Sequence, residues 1–148
     1  MQKLLDIGSK LFFDILIVCL ISSIYFNVLP QNNITSSIST IFCIFYFGVN
    51  FYSGFKNNLT LKEAIIIGVI GCGIGLFLGL FSLYTNFILH NSRYAISIIK
   101  PYFIPTWPIM KMFLGEITIA YPFILMVINI ALVIFGSISK NILNKLLS

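Results

Sequence analysis

The sequence predicts an all-α integral membrane protein of four transmembrane helices, with a proline- and aromatic-containing interfacial loop between the third and the fourth. Three observations carry that prediction. Apolar runs at residues 11–29, 34–55, 64–89 and 117–138 take up most of the 148-residue chain, and each is long enough to cross a hydrocarbon core of about 30 Å as a helix. Charged residues make up 9% of the chain, far below the roughly 25% of an average soluble domain, and a soluble fold this small has too little interior to hide so much apolar surface. The charges that do occur stand singly near the ends of the runs. A chain of this length forms one membrane domain, 1–148, with no separate soluble module.

The net charge of +5 raises nucleic acid as a partner, but no basic cluster or stacking motif accompanies it, and single lysines at helix ends suit anionic headgroups better. The expected surroundings are therefore the lipid bilayer, with no nucleic acid. Lys3, Lys10, Lys56, Lys62, Lys140 and Lys145 fall on one side of a four-span arrangement, and Arg93, Lys100 and Lys111 on the other. By the positive-inside rule both termini are cytoplasmic. Heavy use of Ile, Asn, Lys and Phe points to an AT-rich genome and hence to a bacterial inner membrane.

Taken in order, the first run, 11–29, is longer than the about 7–15 residues of a signal-peptide core and lacks an A-x-A cleavage context, so it reads as an uncleaved first helix. Residues 30–33 form a short turn, and the second run, 34–55, opens with hydroxyls at Thr35, Ser36, Ser37, Ser39 and Thr40 that can bond back along the helix or across to a neighbour. Residues 56–58 are the next turn. Thr60-x-x-Glu63 then reads as a capping box that starts the third helix near Leu61.

The third run, 64–89, would be about 39 Å long as a straight helix, so it must tilt, bend or protrude. It carries Ala64, Gly68, Gly71, Gly75, Gly79 and Ser82 at spacings of three and four, one narrow stripe of small residues that admits a neighbouring backbone. Such a glycine zipper is either a self-association seam or an internal packing seam against another helix of the same chain. Gly73 lies off the stripe and makes a bend there expected.

The 90–116 segment is too apolar for a solvated tether, and Pro101, Pro105 and Pro108 bar one continuous helix through it. Tyr102 and Trp107 are expected as anchors in the headgroup belt. A re-entrant loop is the rarer alternative, since its backbone must be satisfied by protein or water. The last run, 117–138, carries Pro122 in its first turns and ends at Ser139-Lys140.

Few side chains carry chemistry. Asp14 is the one acid inside an apolar run, and with the amides of Asn50 and Asn129 it defines a candidate intramembrane polar site. Lys10, one turn earlier, offers Asp14 a simpler role as half of a snorkelling pair, and amides in spans commonly bond between helices. Cys19, Cys43 and Cys72 have no C-x-x-C partner and read as small packing residues. His90 is the only histidine, Glu63 and Glu116 fall on opposite sides, and no catalytic or metal-binding spacing occurs. The sequence therefore predicts no enzyme, no metal and no cofactor. The expected function is that of a small multi-pass protein of accessory, assembly or immunity type, acting by helix–helix contact with itself as a homo-oligomer or with a larger membrane protein partner. The alternative is a subunit of a small oligomeric transporter or channel with Asp14, Asn50 and Asn129 along a path.

Overall fold

The computed structural model describes residues 1–28, 33–107, 115 and 118–147, apart from the side chains of 33–36. The expected turn at 30–33 lies largely outside the described residues, and so do Pro108, Lys111 and Glu116. Six α-helices make up the described structure: α1 (Gln2–Val28), α2 (Asn33–Lys56), α3 (Leu61–Gly71), α4 (Gly73–Leu89), α5 (Ser92–Phe103) and α6 (Tyr121–Leu147), with one 3-10 turn at Ile104–Thr106. No strand occurs among the described residues.

Three of these helices are long and apolar enough to cross a membrane, and a fourth span results if α3 and α4 count as one. The apolar runs underestimate two helices. α1 begins at Gln2 rather than Leu11, and α6 continues to Leu147, because the charged residues that bound each run are themselves good helix formers. The start of α3 follows the sequence: the Thr60 side chain accepts from the Glu63 backbone N–H, while the Thr60 backbone N–H donates to Glu63 Oε2 at 2.8 Å. This reciprocal cap satisfies donors that an apolar helix start would otherwise leave open.

α3 and α4 meet at an angle of 56°. Cys72 stands between them with φ −86° and ψ 5°, and its N–H still reaches the Gly68 carbonyl. Gly71, Gly73 and Gly75 surround the break and offer little side-chain resistance to bending. The bend expected at Gly73 thus falls one residue earlier.

The helices pack as a bundle whose closest pair is α2 with α6. A Cβ on Gly54 would run into the Val133 carbonyl, and one on Gly136 into the Phe51 carbonyl. The two backbones therefore touch where both helices lack a side chain, which is how glycine admits close approach. Ser137 Oγ locks the base of this pair by donating to the Leu59 carbonyl at 2.7 Å. α3 ascends beside α1, with Gly8 against Ile70 and Leu11 against Gly71.

Beyond Leu89 the chain reverses at His90, which adopts the left-handed conformation (φ 47°) as the C-cap of α4. α5 is then capped by the Asn91 side chain and runs back along α4, so that Ser82 Oγ meets the Ala95 carbonyl at 2.6 Å and Gly75 faces the Tyr102 ring. Pro105 stands at the start of the 3-10 turn, where a missing N–H costs least, whereas Pro101 falls inside α5, near its end, and removes one i→i−4 hydrogen bond there. The expected interfacial loop is, over 92–106, a helix and turn with one face buried in the bundle. Tyr102 is 2% exposed. Its expected role as an interface anchor gives way to a core role, because the hairpin turn at His90 directs α5 inward. Trp107, 37% exposed and stacked on Phe103 at 5.4 Å, keeps a surface position.

Candidate functional site: a buried polar centre at the helix break

Side chains from four helices meet around Cys72, which stands at the break between α3 and α4. Asn129 of α6 donates through Nδ2 to the Tyr46 hydroxyl of α2 at 2.8 Å, and lies 3.4 Å from the Tyr102 hydroxyl of α5 and 3.5 Å from Cys72 Sγ. Cys19 Sγ of α1 points at the Tyr102 carbonyl, 3.5 Å away. The Tyr46 and Tyr102 rings meet edge to face at 6.2 Å. Tyr46, Asn129 and Cys72 are fully buried. Tyr46 and Asn129 each lie near the middle of their own apolar runs, whereas Cys72 falls about a third of the way along its run.

The sequence places these side chains for separate local reasons. Cys72 is at the one non-glycine step in Gly71-Cys72-Gly73, where the helix axis turns and the thiol faces inward. Tyr102 reaches the centre because Gly75 leaves no side chain in its way. Asn129 follows Tyr121 and Leu125 and precedes Val133 on the buried face of α6 at intervals of four. A buried tyrosine needs a partner for its hydroxyl, and Asn129 meets that need for Tyr46.

Among the described residues, two buried side-chain oxygens have no hydrogen-bond partner, Asn129 Oδ1 and Asn50 Oδ1. An unpaired buried acceptor costs about 1–3 kcal/mol. Asn50 Nδ2 donates to the Tyr46 carbonyl at 2.8 Å, one turn back in its own helix. A second polar group of smaller extent lies nearby, where Thr106 Oγ1 meets the Phe103 carbonyl at 3.0 Å and the Tyr121 hydroxyl at 3.3 Å.

Asp14 does not join this centre. It lines an open cleft of about 210 Å³ between α1 and α2 with Lys10, Tyr52, Ser53, Lys56 and Asn57, at the end of the bundle where α1 begins. The three residues expected to form one polar path are thus divided: Asp14 lines the cleft between α1 and α2, while Asn50 and Asn129 are fully buried. The small-residue stripe has a single fate. Ala64, Gly68, Gly71, Gly75, Gly79 and Ser82 are all buried, and the last five meet, respectively, Ile130, Leu11, Tyr102, Pro122 with Phe123, and the Ala95 carbonyl of the same chain.

Sequence reasoning missed Tyr46, Tyr102 and Cys72 as members of the centre, and Gly54 with Gly136 as the tightest crossing. A signal existed for Tyr46, since a tyrosine in the middle of an apolar run must find a hydroxyl partner. None existed for the glycine pair, as each is solitary in its run. The centre consists of an amide, two phenols and two thiols, so it can join helices by hydrogen bonds and offers no ready proton acceptor. Cys19, Cys43 and Cys72 are all free and buried. Comparison with protein-family models, with curated proteins and with solved structures finds no match for the chain, so its own geometry is the ground on which the site is read.

Proposed function

We propose that the chain is a non-enzymatic multi-pass membrane protein that works by contact with another membrane protein, as an accessory, assembly or immunity-type factor. One observation carries the reading. The small-residue stripe and the polar centre are used within the chain, while the outward faces of the long helices carry large apolar side chains such as Phe13, Ile17, Ile24, Ile44, Phe45, Val127 and Phe135. A self-contained bundle with an apolar exterior is suited to lipid and to a partner's helices. In this reading α3 and α4 form one broken span, four spans cross the bacterial cell membrane, and α5 enters from the far side as a re-entrant helix. The lysines at 3, 10, 56, 62, 140 and 145 all belong to the end of the bundle that holds the α1 start and the α6 end, which supports cytoplasmic termini.

The test combines extraction and size. The chain is expected to resist alkaline carbonate extraction and, when solubilised from its native membrane in mild detergent, to migrate together with a second membrane protein above the mass of one chain. Gly75→Leu is expected to lose the folded state, because its side chain would enter the Tyr102 ring, rather than to yield a folded monomer. A wild-type chain that is released by carbonate, or that is recovered in native-lipid discs without any other membrane protein, would overturn the proposal.

A second reading rests on the break at Cys72. Discontinuous helices at mid-membrane, with unsatisfied polar groups beside them, line substrate sites in many transporters, and Asn129 and Asn50 each present an unpartnered oxygen at that level. Solute flux in reconstituted vesicles that is lost in a folded Asn129→Leu variant would put transport in place of contact.

A further inference from the structure

The cleft between α1 and α2 stands where two apolar runs meet the charged end of the bundle. Lys10 immediately precedes the 11–29 run and Lys56 immediately follows the 34–55 run. Because α1 and α2 run in opposite directions, both lysines come to the same border, and both line the cleft. In the membrane reading that border is the headgroup level. The Lys56 ammonium is 5.9 Å from the centre of the Tyr52 ring, close enough to be attracted to its face, and the Ser53 hydroxyl adds a neutral donor to the lining. Asp14, one helical turn beyond Lys10, sets the charge: two ammoniums against one carboxylate leave a single net positive charge.

Beyond the cleft the same two faces turn apolar. On α1 the row through Lys10 and Asp14 continues at intervals of three and four to exposed Ile17 and Ile21, and on α2 the row through Lys56, Tyr52 and Val49 continues to exposed Phe45. The two helices touch again at Tyr25 and Phe42, whose ring centroids are 5.5 Å apart. From Asp14 to Tyr25 the rise is about 16 Å, close to one leaflet's share of a hydrocarbon core of roughly 30 Å. A cationic head above an apolar strip of acyl-chain length fits an amphiphile better than water or a soluble anion. We infer that the α1–α2 cleft binds one anionic phospholipid, with its singly charged phosphodiester between Lys10 and Lys56 and an acyl chain along Ile17 and Phe45. The inference rests on the membrane reading above and adds a lipid ligand to it. Basic recesses between spans on the cytoplasmic side suit lipid headgroups. A phosphodiester carries one negative charge and matches the cleft, whereas a phosphomonoester, with a second pKa of about 6, brings up to two, and Asp14 opposes the second.

The test uses the full-length chain with Trp107→Phe and with Phe45→Trp as the fluorescent reporter, in phosphatidylcholine vesicles that contain a fixed fraction of a lipid with brominated acyl chains, which quench a tryptophan they touch. Brominated phosphatidylglycerol is expected to bind beside the reporter about fivefold or more better than brominated phosphatidylcholine. Lys10→Gln and Lys56→Gln are each expected to remove most of that difference, while Lys62→Gln, at the same end of the bundle but outside the cleft, retains it. All three lysines are exposed, so each variant is expected to keep the wild-type melting temperature. Asp14→Asn is expected to raise the binding of brominated phosphatidic acid more than that of phosphatidylglycerol. Equal quenching by phosphatidylglycerol and phosphatidylcholine overturns the inference. So does loss of the preference in Lys62→Gln, which would make it a property of the whole basic end, and so does an Asp14→Asn variant that leaves the relative binding of the two acidic lipids unchanged. Soluble glycerophosphoglycerol, in large excess over the lipid, is expected to leave the quenching unaltered. Displacement by it would mean that the cleft takes the free phosphodiester, and overturns the lipid assignment. Failure of the membrane reading is recorded separately, as a chain that does not co-float with the phosphatidylcholine vesicles.

Discussion

At Asn129 a single amide reaches α2, α3–α4 and α5, and its neighbourhood decides what the residue contributes. Hydrogen bonds between helices in membranes are worth about 0.6 kcal/mol on average and up to about 1.7, so the bond to the Tyr46 hydroxyl is a modest but specific term. A double-mutant cycle of Asn129→Leu and Tyr46→Phe is expected to give a coupling energy within that range, measured by unfolding in mixed detergent micelles. A coupling indistinguishable from zero would mean that the 2.8 Å contact does not hold the helices together. Asn27→Leu is the contrast, because Asn27 is exposed and bonds within its own helix to Ser23, and it should change stability by less than about 0.5 kcal/mol. From the sequence Asn129 was legible as an amide that needs a partner. The identity of the partner was not, since Tyr46 lies 83 positions away and one-dimensional spacing carries no information about which helices adjoin.

At the level of elements, the glycines separate into those that touch another helix and those that do not. The sequence drew attention to the periodic set in α3 and α4, because repetition at three and four is visible without a structure. The tightest crossing is instead made by Gly54 of α2 and Gly136 of α6, each against a backbone carbonyl. Periodicity reports a face, whereas a single close crossing needs only one glycine on each helix. Gly54→Val and Gly136→Val are each expected to destabilise by about 1–3 kcal/mol or more, since a backbone cannot give way as a side chain can. Gly48 has open space where a Cβ would be, and Gly48→Val should be close to neutral. Thermal melts of the three variants in one detergent check the order, and a Gly48 variant as unstable as the other two would refute the crossing.

For the whole molecule, the all-helical class and the presence of three to four helices apolar enough to span a membrane were readable, because apolar length and charge placement are properties of the chain alone; the division at Cys72 into α3 and α4 and the separate helix α5 were not. Nor was the course of residues 92–106. Prolines and aromatics signalled a broken, membrane-proximal segment, but its inward direction depends on the left-handed turn at His90 and on the space that Gly75 leaves for Tyr102. The side of each segment is open to measurement. Reporters fused at Met1 and Ser148 are expected to read cytoplasmic, and a His90→Cys variant is expected to react with an impermeant thiol reagent supplied from the opposite side. Labelling of that cysteine from the cytoplasmic side alone would make α3 and α4 a pair that enters and returns, leaving three crossings.

The arrangement around Cys72 also bears on the order of synthesis. Tyr46, Cys72 and Tyr102 leave the ribosome before Asn129, so the earlier helices form with polar groups that their last partner has yet to meet. Until α6 arrives, the glycine of α2 that faces Val133 and the Leu59 carbonyl that receives Ser137 are open as well. A nascent chain cut short before Tyr121 is therefore an incomplete bundle, in which the Tyr46 hydroxyl lacks the Asn129 amide and the Leu59 carbonyl lacks the Ser137 hydroxyl.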